Sequence, residues 1–104
     1  MSVRPPVLGS QSSASGNGFD ALGYEIMAEK ATALGRAGDR AAQCLLLLQS
    51  CKPGSPERPG LLKEAARAVH AWFIQREICG LRRHQDVIRE LQIPQEVLVR
   101  LGAV

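Results

Sequence analysis

Aromatic side chains are scarce in this chain, with one tryptophan, one tyrosine and two phenylalanines in 104 residues. Its interior must therefore be filled by aliphatic and small side chains, as happens where alanine-rich helices pack closely. Long apolar runs are also missing. The longest aliphatic run, Leu45 to Leu48, is far short of the ~20 residues that span a bilayer. The first residues include Arg4 but no apolar stretch of the kind a secretory signal needs. Membrane insertion and export are thus not expected. The three cysteines, Cys44, Cys51 and Cys79, are odd in number and lie in or beside apolar stretches, which points to free thiols and a cytoplasmic setting. No Gly-x-Ser-x-Gly elbow occurs, and the glycines punctuate helical patterns without forming a phosphate loop after a strand.

Charge is only mildly unbalanced, at +3 with a pI near 9.1. That excess falls short of the dense basic patches of dedicated nucleic-acid binders. The densest basic cluster comprises Arg76, Arg82, Arg83, His84 and Arg89. Arg82, Arg83 and Arg89 are its candidate anion contacts, yet Glu77, Asp86 and Glu90 are interleaved with them as on a solvated helix face. Arg76 differs because it interrupts an apolar stripe. A guanidinium there needs a carboxylate, a carbonyl or an aromatic face, so it is either an internal clamp or an interface residue.

What the chain does have is a long helical seam. Tyr24, Met27, Ala31, Leu34, Gly38, Ala41, Leu45 and Leu48 recur at steps of three and four, and a polar stripe from Glu25 to Gln43 runs beside them. This predicts one helix from near Gly18 to Ser50, capped by Asn17, with Asp20 in its first turn. Gly35 and Gly38 each weaken helix propensity by about 1 kcal/mol, but the seam continues through both, so they are expected to admit a close neighbour. Residues 1–18, rich in Ser, Gly and Pro, read as a disordered tail before a single helical domain over 19–104.

Pro53, Gly54, Pro56 and Pro59 mark a turn, with a second helix expected from about Leu61 to at least Cys79. Its stripe Leu62, Ala66, Val69, Phe73, Arg76, Gly80 is the natural mate for the first seam. Trp72, Ile74, Ile78 and Leu81 fall off that stripe and imply further neighbours. Pro94 opens a short helix over Gln95–Leu101, closed by Gly102.

Catalytic, cofactor and metal sites are not indicated. His70, Glu77 and His84 are spaced by seven residues, which on a straight helix sets neighbours about 10.5 Å apart, too far to share a metal ion. Cys44 and Cys51 share that spacing, and Cys79 has no histidine nearby in sequence to act as its base. A degenerate helix-turn-helix over residues 84–101 offers a DNA-binding alternative, since Val87, Leu91, Ile93, Leu98 and Leu101 are suitably spaced. Ile88 is too large for a close helix crossing, Gln92 stands where a turn glycine is usual, and Glu96 brings negative charge to the would-be recognition helix. A helix-loop-helix that covers the core is the simpler reading.

The segment from Ala71 to Arg82, AWFIQREICGLR, followed by Ile93-Pro94, resembles a family of small uncharacterised all-helical bacterial proteins, over roughly Phe19 to the end. The resemblance implies an all-α fold and carries over no functional residue.

The expected architecture is all-α: an antiparallel hairpin of two long helices plus a short C-terminal helix, dimerising into a helical bundle. Leu46, Leu47, Trp72, Ile74, Arg76 and Ile78 are the candidate interface. The expected function is a non-enzymatic interaction module that forms a homodimer or serves an unidentified protein partner, without cofactor or membrane, and with nucleic acid as the lesser reading.

Overall fold

The computed structural model describes residues 14–102. All regular structure among them is helical: α1 (Ala14–Ser50), α2 (Arg58–Ile78), α3 (Gln85–Glu90) and α4 (Gln95–Leu98). Residues 1–13, most of the expected tail, lie outside the described residues. Helix α1 starts at Ala14, ahead of the expected Gly18, so Asn17 sits inside the helix and does not cap it. The chain divides into two compact units after Ala31, and α1 contributes to both.

In the first unit, no residue from Asp20 to Ala31 is buried. The seam residues Tyr24 and Met27 are 73% and 66% exposed, and Leu22 and Ile26, on the other side of the helix, are 52% and 45% exposed.

The second unit begins at Thr32 and holds the whole core. Helix α1 continues through Gly35 and Gly38 without a break, as its seam requires. An irregular segment from Cys51 to Glu57 reverses the chain. Arg40 then faces Glu64, and Gly38 meets Trp72, so the two long helices run antiparallel. The seam buries Ala41, Cys44, Leu45 and Leu48 against Leu62, Ala65, Ala66, Ala68, Val69 and Phe73. Small residues supply much of that contact, in keeping with the shortage of aromatics. The two glycines play different parts. A Cβ on Gly38 would lie 3.1 Å from Trp72 Nε1, whereas one on Gly35 would meet nothing within 4 Å.

Helix α2 starts three residues earlier than expected, at Arg58 with Pro59 in its first turn. The first N–H groups of a helix have no internal partner, so proline loses nothing there. Ser55 prepares the entry, its hydroxyl accepting from the Glu57 N–H at 3.3 Å and its carbonyl from the Arg58 N–H at 3.1 Å. Helix α4 is shorter than expected and ends at Leu98, with a turn following. It packs on α2 and buries Val97, while Ile93 enters the core just ahead of it.

Candidate functional site

Helix α2 stops because of the hydrogen bonding around Gly80. The Leu81 N–H donates to the Arg76 carbonyl at 2.8 Å, the Gly80 N–H donates to the Glu77 carbonyl at 3.0 Å, and Gly80 takes φ +89°. This left-handed closure satisfies carbonyls that the helix would otherwise leave open, and glycine adopts it without a steric penalty. The chain thereby turns back and sets His84 against the helix it has just left.

There the imidazole stacks on Phe73, with ring centroids 4.1 Å apart and planes within 6°. Arg76 donates from Nε to His84 Nδ1 at 3.1 Å and from Nη2 to the Arg83 carbonyl at 2.8 Å. His84 Nε2 lies 3.0 Å from Glu77 Oε2. Arginine Nε can only donate, so Nδ1 must accept, and the ring proton sits on Nε2, where it is given to Glu77. The guanidinium also stands 5.6 Å over the Trp72 ring. Arg76 is therefore engaged as an internal clamp, one of the two roles that its place in an apolar stripe left open. The straight-helix separation expected for Glu77 and His84 does not apply, because the helix has ended between them.

A histidine paired with a carboxylate resembles half of a catalytic triad. Its other nitrogen would have to be available to a nucleophile or substrate. Here that nitrogen accepts from Arg76, and both ring nitrogens are committed. The cluster holds the linker between α2 and α3 in place and has no lone pair left for proton transfer. Among the described residues no group of three or more His, Cys, Asp or Glu side chains is placed to bind a metal ion.

The expected interface residues fall into two sets. Trp72 and Arg76 are partly buried and engaged within the chain. Leu46, Leu47, Ile74 and Ile78 are exposed, at 62%, 56%, 43% and 53%. With Gly38 opposite Trp72, the antiparallel register sets Leu46 and Ile74 about 15 Å apart along the helix axes, so these four do not form one patch.

The expected anion contacts Arg82, Arg83 and Arg89 are all exposed, and Arg89 lies 3.9 Å from Asp86. A different set of basic residues converges. Lys63, Arg67 and His70 on α2, with Arg100 beyond α4, line an open cleft of about 560 Å³, completed by Pro59, Ala66 and Gly102. The steps of four and three between Lys63, Arg67 and His70 place them on one face and were readable in the sequence. Arg100, distant along the chain, carried no such signal.

The turn between α3 and α4 repeats the Gly80 pattern with a different residue. The Ile93 N–H donates to the Ile88 carbonyl at 2.9 Å, the Gln92 N–H donates to the Arg89 carbonyl at 3.2 Å, and Gln92 takes φ +52°. The missing turn glycine thus does not prevent this turn. As a DNA reader, however, α4 is one turn long, Val97 is buried, and Glu96 forms a two-pronged pair with Arg58. That pairing holds the Glu96 carboxyl below its usual range through the hydrogen bond to Arg58.

No helix among the described residues is long and apolar enough to cross a membrane. No curated protein and no solved structure matches the chain. A family model matches residues 1–104, so the similarity also takes in the N-terminal segment that the sequence reading left out. The chain belongs to this family, a family of unknown function (DUF6665).

Proposed function

We propose that this protein is a non-enzymatic helical interaction module that self-associates through the N-terminal part of α1. The observation that carries this reading is the exposure of Tyr24 and Met27, the first members of a seam whose later members Ala41, Leu45 and Leu48 are buried at the same steps of three and four. A helical stretch without packing is marginal in water, because most helix stability in proteins comes from burying one face. A second copy fits this face. Crossing two such segments antiparallel near Glu25 sets Met27 of one copy level with the small Gly23 of the other, both on the seam side of the helix. The pairing therefore lies along α1, and the outward Leu46, Leu47, Ile74 and Ile78 are secondary to it. A cytoplasmic location accords with three cysteines that form no disulfide.

Sedimentation equilibrium at micromolar concentration tests the reading. The expected mass is about twice 11.2 kDa. Met27→Glu should reduce it to that of one chain, and Ile78→Glu should leave it unchanged. A wild-type protein that is strictly monomeric would overturn the proposal. The DNA-binding alternative gains no support from α4, for the reasons given above.

A further inference from the structure

The cleft lined by Lys63, Arg67, His70 and Arg100 is a concentration of positive charge on a chain whose net charge is only +3. Elsewhere on the second unit Arg40 pairs with Glu64, Arg58 with Glu96 and Arg89 with Asp86. Those pairings matter to the cleft. Glu64, next to Lys63, and Glu96, four residues before Arg100, are both engaged with cations outside it. Lys63, Arg67 and Arg100 form no ion pair within 4 Å among the described residues, although the Arg100 charge also helps to lower the pKa of Glu96. Among the described residues no carboxylate lines the cleft.

The shape favours a compact ligand. About 560 Å³ falls within the range of small-molecule sites. Lys63, Arg67 and His70 span about 10 Å along α2, and Arg100 faces them from another part of the chain. The backbone at Gly102 approaches closely, so that a Cβ there would lie 3.5 Å from His70 Nε2. The lining has no aromatic ring apart from the imidazole, so there is no stack to receive a nucleobase. Two guanidinium forks and an ammonium are the donors that recognise oxyanions, the forks by paired hydrogen bonds and the ammonium as a point charge.

We propose that this cleft is a binding site for a small ligand carrying two or more phosphate-type oxyanions. It is separate from the α1 surface assigned to self-association. Titration of the full chain with pyrophosphate, followed by amide NMR, tests it. Saturable shifts are expected at Lys63, Arg67, His70, Arg100 and Gly102, weakening as salt is raised. Lys63→Gln and Arg100→Gln should each raise the dissociation constant about tenfold. Arg82→Gln combined with Arg83→Gln should leave it unaltered. Lys63, Arg82, Arg83 and Arg100 are exposed, so these variants are expected to keep the wild-type spectrum away from the sites of substitution. Absence of shifts at millimolar pyrophosphate would overturn the proposal, as would shifts centred on Arg82, Arg83 and Arg89. So would binding seen only with phosphatidylglycerol vesicles and not with the free anion.

Discussion

Replacing Gly35 and Gly38 separately by alanine places the same chemical change three residues apart on one helix, in two different surroundings. In a helix interior, alanine in place of glycine is worth about 1 kcal/mol, because the unfolded chain loses conformational freedom and the folded one does not. At Gly35 the new methyl meets nothing within 4 Å, so the gain should appear in full. For a domain of this size that corresponds to a rise in midpoint of about 4–8 °C. At Gly38 the new methyl would sit 3.1 Å from Trp72 Nε1 and 3.5 Å from Cε2. The ring must shift by a few tenths of an ångström in a packed seam, and overpacking of this kind costs about 1–3 kcal/mol. The two effects at Gly38 offset one another. Gly38→Ala should therefore be neutral to about 2 kcal/mol destabilising, and Gly38→Leu, with three further carbons in the same place, clearly destabilising. Thermal unfolding followed by far-UV circular dichroism reads both, and the shift in Trp72 fluorescence reads the contact itself. Equal midpoint rises for the two alanine variants would refute the antiparallel register that places Trp72 over Gly38.

The two left-handed turn positions should respond in opposite directions. Gln92→Gly should raise stability by about 1 kcal/mol, since a side chain at φ +52° bears a steric penalty that glycine lacks, and Gly80→Gln should lower it by a similar amount; midpoints that move the same way would refute this account of the turns. For acid unfolding, the Glu96 carboxyl has a folded pKa below its unfolded one. Its contribution is complete above the ordinary glutamate value of about 4.3 and fades as pH falls from there through the lowered folded value. Glu96→Gln should flatten that part of the stability profile measured by urea titration, and an unaltered acid limb would refute the role of the Arg58 pair.

The two long helices were legible because steps of three and four over many turns leave few alternatives. The Gly38 end of the seam was legible for the same reason. Helix ends were read less well, since they rest on local backbone bonds: Pro59 was expected to delay α2 and instead occupies its first turn. The clamp was half legible. The position of Arg76 in an apolar stripe announced a buried partner, but His84 as that partner depends on the reversal at Gly80, which residue spacing does not encode. The cationic cleft shows the converse. Three of its residues lie on one helix face in plain view, yet they gain meaning only when Arg100 is brought beside them and their acidic neighbours are drawn off by Arg40 and Arg58.

Three of the six buried residues of α2 are alanines, Ala65, Ala66 and Ala68, and Ala41 faces them from α1. The core's mutational tolerance therefore differs by position. At Leu45, Leu48, Leu62 and Phe73 the vulnerable direction is loss of atoms, whereas at these alanines it is growth. A single added methyl at Ala41 or Ala65, both fully buried, would act as a wedge, so at these points the sequences able to specify the hairpin are limited by an upper bound on side-chain size.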